Sequence, residues 1–241
     1  VTPVRVDASG FMDGAAHRQG RAPIYNTYYF TDTDPAYDAG YEPQQMLFRP
    51  LYATGWWLAD TLTEGTHAPL AYVAMSSASS KTALALAHAL KSNAGPKTIG
   101  VTSSRNKACV EASGLYDQTV TDDEIETLDA SASPGGYVDF MGSPETNTRI
   151  HSALGDGLKR SLIVGATEWD TDRPPRALPG PTPEFFFVPD VAAARIKAVG
   201  PSLMQTMGED LRAFYPASGK FVTPIEASGT TAIKRTWIAA V

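Results

Sequence analysis

The chain has 241 residues, 43% of them hydrophobic and 19% charged. That is enough apolar material for the packed core of one large or two small domains, and it excludes wholesale disorder. The net charge of −6 comes without a clustered Lys/Arg run, which argues against broad nucleic-acid or anionic-membrane binding but leaves room for a local basic pocket that takes a small anion. The single cysteine, Cys109, excludes an intramolecular disulfide and a Cys-rich zinc site within the chain. No run approaches the roughly 18 apolar residues of a membrane span.

The N-terminus, Val1-Thr2-Pro3-Val4, has no basic stretch leading into an apolar one, so no signal peptide is read and a cytoplasmic location is expected. The missing initiator Met fits processing or truncation upstream. Residues 1 to 45 show neither a 2.0 nor a 3.6 period. They carry Tyr25, Tyr28, Tyr29, Tyr37 and Tyr41, too many aromatics for a flexible linker, and read as an ordered arm or part of a domain. Residues 46 to 62 are rich in large apolar groups. From Gly55 to Leu62 they predict a buried helix with Trp56 and Trp57 partly in the core.

From residue 69 strand and helix signals alternate. PLAYVAM (69–75) predicts a buried strand, SSASSK (76–81) a polar turn and TALALAHAL (82–90) a strong helix. KTIGVT (97–102) predicts a second strand, followed by a helix over 104–113. QTV (118–120), YVDFMG (137–142), LKRSLIVGAT (158–167) and EFFFVP (184–189) predict four more strands. A helix over 145–155 and two more near 190–199 and 202–215 complete the pattern. Strands separated by helices signal βαβ crossovers, and continuous apolar runs fit strands covered on both faces. The expected fold is α/β, a Rossmann-like doubly wound parallel sheet, for which that fold class implies the order 3-2-1-4-5-6.

The most informative segment is strand, turn and helix over 70–90. A helix N-terminus offers free N–H groups and a positive dipole end, a geometry suited to a phosphate or pyrophosphate. The turn reads Ser76-Ser77-Ala78-Ser79-Ser80-Lys81-Thr82, without the glycines of G-x-G-x-x-G. Its small residues still allow close approach, its hydroxyls can donate and Lys81 supplies charge. Any positive-φ position there must be strained. An ordinary Ser-rich N-cap turn explains the same residues. So does a degenerate P-loop over MSSASSKT (75–82), in which Met75 and Ser80 stand where both glycines belong and Asp139 would face Mg²⁺.

The end of the second strand bears on the choice of cofactor. An NAD site has Asp or Glu about 20 residues after the turn. Here Val101-Thr102 leads into Ser103, Ser104, Arg105 and Asn106, with no carboxylate. A guanidinium with short donors suits a 2′-phosphate, which favours NADP(H). A helix cap with a solvated Arg105 is the structural alternative.

LFRPLYATGWWLADTL (47–62), SSASSKTALALA (76–87), GVTSSRNKACVEASGLYDQTVTDDEI (100–125) and GPTPEFFFVPD (180–190) together resemble the DUF2855 family. That family is distantly similar to medium-chain dehydrogenases/reductases such as quinone and enoyl reductases. The resemblance implies the end of a GroES-like catalytic β domain over 1–45 and a Rossmann-like NADP-binding domain over 46–215. A segment over 216–241 would return toward the catalytic domain. It also implies a chain incomplete at both ends. By the same resemblance Ser76, Ser77, Ser79, Ser80, Lys81 and Thr82 would approach the pyrophosphate, and Ser103, Ser104, Arg105 and Asn106 the 2′-phosphate. Phe140, Met141, Gly142, Val164 and Gly165 would end strands on the nicotinamide side.

The cofactor supplies the hydride, so the protein must position a substrate and protonate or stabilise the developing oxyanion. Tyr25, Tyr28 and Tyr52 are the candidate catalytic residues, with buried packing as their structural alternative. His17, His67, His88 and His151 show no metal-ligand spacing, so no metal site is expected. No G-x-S-x-G elbow is present, which argues against an α/β-hydrolase. The combined reading is a zinc-independent NADPH-dependent oxidoreductase that reduces a carbonyl or an activated C=C bond of a small molecule. The alternatives are a non-catalytic NADP(H)-binding sensor or scaffold and a degenerate P-loop nucleotide binder. Phe185, Phe186 and Phe187 on the sixth strand are core or a homodimer contact along the sheet edge.

Overall fold

A computed structural model describes residues 1–21, 23–34, 36–64, 69–128, 133–164 and 178–240. The N-terminal arm holds more order than its pattern shows. Strands β1 (Pro3–Val6), β2 (Gly10–Asp13) and β3 (Thr27–Tyr29) form an antiparallel sheet in chain order. Phe11 lies opposite Tyr28, with their rings stacked at 4.9 Å. The strands run only three or four residues, too short for their alternation to stand out. An ion pair between Arg49 and Asp34 ties the arm to the next helix.

Helix α1 spans Glu42–Thr63, beginning thirteen residues before the predicted Gly55. Pro50 lies inside it and removes one backbone donor, the signal that hid the first half. The buried stripe of Phe48, Tyr52, Trp56, Trp57 and Leu62 carries the helix through. Both tryptophans are fully in the core, where only partial burial was expected.

The second sheet has six parallel strands: β4 (Tyr72–Met75), β5 (Lys97–Thr102), β6 (Gln118–Thr121), β7 (Gly135–Asp139), β8 (Leu158–Ile163) and β9 (Glu184–Phe185). Their spatial order is β6-β5-β4-β7-β8-β9, which is 3-2-1-4-5-6 and therefore Rossmann-like, as expected. The helices are α2 (Lys81–Ser92), α3 (Lys107–Ala112), α4 (Pro144–Leu154), α5 (Val188–Val199), α6 (Ser202–Ser218) and α7 (Thr230–Ala240). Among the described residues no helix is long and apolar enough to cross a membrane.

Each face of this sheet has its own core. Val73 and Met75 of β4 pack with α1, α2 and α6, whereas Tyr72 and Ala74 pack with Val101, Tyr137, Ile150 and Leu154. The strand's period of two thus divides one apolar run between two cores. Gly55 lets α1 approach α2 closely, since a Cβ there would lie 2.6 Å from the Leu86 nitrogen.

Three predicted elements end elsewhere. β8 stops at Ile163 rather than 167. The stretch 104–113 divides into a 3-10 turn over Ser104–Asn106 and the shorter α3. EFFFVP supplies only a two-residue strand, because Pro189 opens α5 in its first turn. Phe186 points into the core while Phe185 is 72% exposed, so the three aromatics divide between the faces.

Candidate functional site

In an open parallel sheet the strand order reverses at one crevice, and ligands bind beyond the strands' C-terminal ends there. In this chain that crevice lies between β4 and β7. It is bounded by the turn 76–80 after β4, the loop 103–106 after β5 and the loop 140–142 after β7.

The turn after β4 delivers the chain to α2. Ser80 caps that helix, its Oγ accepting the Ala83 N–H at 3.3 Å. Among the described residues no protein acceptor takes the N–H groups of Ser77, Ser79, Lys81 or Thr82. These donors sit at the positive end of a twelve-residue helix and can receive a phosphate. Ser77 has φ 50, the positive-φ position anticipated for a turn without glycine. Ser77, Ser79, Ser80 and Thr82 are partly exposed and Lys81 is exposed.

Ser76 differs from its neighbours. It is fully buried, and its hydroxyl donates to Asp139 Oδ1 at 2.8 Å while accepting the Phe140 N–H at 2.9 Å. Its role here is to tie the end of β4 to the end of β7. Asp139 also accepts the N–H groups of Met141 and Gly142, each at 2.9 Å, and the Asn147 side-chain amide at 2.7 Å. Both of its oxygens are therefore engaged by protein donors. Gly142 turns the loop with φ 74. Phe140 is buried, and the Val164 N–H donates to the Asp139 carbonyl at 3.0 Å, so residues 140–142 and 164 do converge at the strand ends. Gly165 lies outside the described residues.

The loop after β5 meets the turn directly. The Asn106 side-chain amide donates to Ser79 Oγ at 3.1 Å. Ser103 is partly exposed, Ser104 and Arg105 are exposed, and Arg105 makes no ion pair or hydrogen bond among the described residues. Its neighbour Lys107 is engaged by Glu124 at 2.9 Å. A hollow of about 390 Å³ opens beside the turn, lined by Ser79, Lys81, Leu84, Cys109 and the segment Phe221–Ile225.

The tyrosines fall elsewhere. Tyr25 and Tyr28 belong to the N-terminal sheet region, where the Tyr25 carbonyl accepts Arg18 and the Tyr28 ring stacks on Phe11. Tyr52 is buried between α1, α2 and α6, its hydroxyl paired with His88 Nδ1 at 3.2 Å. Burial raises the Tyr52 phenol's pKa and lowers that of the His88 imidazole. His151 is buried too, with Nδ1 2.8 Å from the Pro179 carbonyl and Nε2 2.9 Å from Ser161 Oγ. His67 lies outside the described residues. Among the described residues no three His, Cys, Asp or Glu side chains gather as a metal site would.

Sequence reasoning missed two residues packed on the turn: the Tyr116 hydroxyl donates to the Ala78 carbonyl at 2.8 Å, and a Cβ at Gly100 would lie 2.9 Å from both Ala78 Cβ and the Tyr116 ring. A glycine inside the apolar run of β5 was the available signal for a close backbone approach. Tyr116 carried none.

The strand order and this crevice define a Rossmann-like fold. A mutant form of the enoyl thioester reductase from Candida tropicalis superposes with a TM-score of 0.51 at 15% identity, over 81% of this chain and 57% of that one. A protein described as an NADPH:quinone reductase from Mesorhizobium loti superposes with a TM-score of 0.56 at 12% identity, over 85% and 60%. The chain belongs to the family described as "Protein of unknown function (DUF2855)", whose model matches residues 1–241. No curated protein matches it. It spans 57–60% of the length of the two reductases.

Proposed function

We propose that the crevice binds NADP(H) and that the protein is a zinc-independent, NADPH-dependent oxidoreductase acting on a carbonyl or an activated C=C bond of a small molecule. The observation that carries this reading is the joining of the turn 76–82 to the loop 103–106 through Asn106 and Ser79, with Arg105 beside them unpaired among the described residues. The N–H groups of Ser79, Lys81 and Thr82 suit a pyrophosphate, and Arg105 with Ser103 and Ser104 suits a 2′-phosphate. The absence of a carboxylate after β5 argues against NAD(H). Bound NADPH would supply the hydride, and loop 140–142 would flank its nicotinamide end.

In this reading residues 1–45 are the end of a GroES-like catalytic domain, 46–215 the cofactor domain and 216–241 a segment returning toward the catalytic domain. A homodimer would form along the β9 edge, where Phe185 is exposed. One observation favours a second reading, a non-catalytic NADP(H) binder: the Tyr52 hydroxyl is already engaged by His88 inside the core. A degenerate P-loop is the weakest reading, because Asp139 is engaged by Ser76, Met141, Gly142 and Asn147.

The test titrates the purified protein with NADPH, NADH and ATP by tryptophan quenching, wild type beside Arg105→Ala. A charge-assisted contact is worth about 1.5–3 kcal/mol, so the variant should lose about tenfold to a hundredfold of NADPH affinity and none for NADH. Absence of NADPH binding by the wild type would reject the cofactor assignment. Oxidation of NADPH with quinone or enoyl-thioester acceptors then separates the enzyme from the binder.

A further inference from the structure

The turn after β4 holds Ser77 at φ 50 without a glycine, a conformation that costs a non-glycine residue energy and persists only when its surroundings enforce it. The enforcement comes from outside the turn. Ala78 is gripped at both ends: its N–H donates to the Val101 carbonyl of β5 at 3.0 Å, and its carbonyl accepts the Tyr116 hydroxyl at 2.8 Å. Tyr116 stands on the connection between α3 and β6, far from the turn in sequence. Its ring lies across Gly100. A Cβ at Gly100 would fall 2.9 Å from Tyr116 Cδ1 and 2.9 Å from Ala78 Cβ. Turn, ring and strand thus share a space that admits no further side chain. The glycine that permits the close approach sits in the neighbouring strand instead of in the turn.

We propose that Tyr116 is a positioning residue for the pyrophosphate of NADPH, acting through Ala78. By fixing Ala78 it holds Ser77 in its strained conformation and fixes the place of the free N–H groups of Ser79, Lys81 and Thr82 at the start of α2. This inference rests on the NADP(H) reading above. Tyr116 makes no claim on the reacting atoms.

Tyr116→Phe removes the hydroxyl and keeps the ring against Gly100, so the sheet stays packed. The loss of one neutral hydrogen bond predicts NADPH binding weakened by about threefold to tenfold. Binding of 2′-AMP, which carries only the 2′-phosphate end, should stay unchanged. Adding Ser77→Gly removes the strain that the clamp opposes, so the double variant should recover most of the lost affinity. In the ligand-free protein, amide hydrogen exchange at Ala78 and Ser80, the hydrogen-bonded amides of the turn, should quicken in Tyr116→Phe while that of β8 should not. Equal losses for NADPH and 2′-AMP, or unchanged NADPH affinity in Tyr116→Phe, would overturn the proposal. If the wild type binds no NADPH, the cofactor reading fails separately. The exchange measurement still decides the clamp in that case, with faster exchange at the turn supporting it and unchanged exchange overturning it.

Discussion

Replacing Asp139 by alanine withdraws one carboxylate from four donors at the crevice. The Ser76 hydroxyl and the Asn147 amide can turn to other acceptors, and the Met141 N–H retains a longer bond to Ser76 Oγ at 3.3 Å. The Gly142 N–H is buried and has no other acceptor among the described residues. The unsatisfied Gly142 donor costs about 1–3 kcal/mol, and the exchange of the Met141 bond from a charged to a neutral acceptor adds about 1.5–2 kcal/mol. The expected loss is therefore about 3–5 kcal/mol, at the high end for a point mutation. For a domain of this size that lowers Tm by about 6–20 °C. Asp139→Asn keeps one acceptor oxygen in place and should cost about half as much. Urea unfolding followed by the fluorescence of the buried Trp56 and Trp57 measures both. An alanine variant within about 1 kcal/mol of the wild type, or an asparagine variant as unstable as alanine, would refute the claim that Asp139 holds the loop as an acceptor.

Two further outcomes follow from the same geometry. Cys109 is exposed and lines the hollow beside Ser79 and Lys81, so saturating NADPH should slow its labelling by a bulky maleimide several-fold. An unchanged rate would place the cofactor away from that hollow. Burial lowers the pKa of both His88 and His151 below the ordinary 6.5, although Asp210 partly offsets this at His88 and Pro179 and Asp139 at His151. The unfolded chain therefore binds protons more readily than the folded one as pH falls through 6.5. Stability is full above that pH and declines below it, and urea midpoints at pH 7.5 and about 5.5 should differ. His151→Asn should flatten that decline, and an identical slope in the variant would show that His151 does not contribute.

Much of the fold was legible because its signals are local. Continuous apolar runs, the Ser-rich cap turn and the strong Ala/Leu helix set β4, β5 and α2, and the pairing of a strand end with a helix start made the turn between them a candidate for a phosphate. The segment 103–106 was legible for a related reason, since the second strand must end at a fixed distance from the first turn. Elements that depend on partners were not legible. α1 continues through Pro50 because Phe48 and Tyr52 are buried against Phe214 of a distant helix. The strand of EFFFVP shrank because Pro189 lies in the first turn of a helix, and the three- and four-residue strands of the arm are too short for a period to show.

By itself the sequence determined which residues could face a phosphate and which charge follows the second strand, because residue chemistry and strand-to-turn spacing are properties of the chain. Tertiary structure alone decided which of those residues are free. Ser76 turns inward to bridge two strands, while Ser79 is joined to Asn106 of the loop after β5. The turn finds its support in Gly100 and Tyr116, side by side only after the parallel sheet has formed. Hydrogen bonds and packing are short-ranged, so contacts between residues far apart in the chain exist only once folding has brought their strands together.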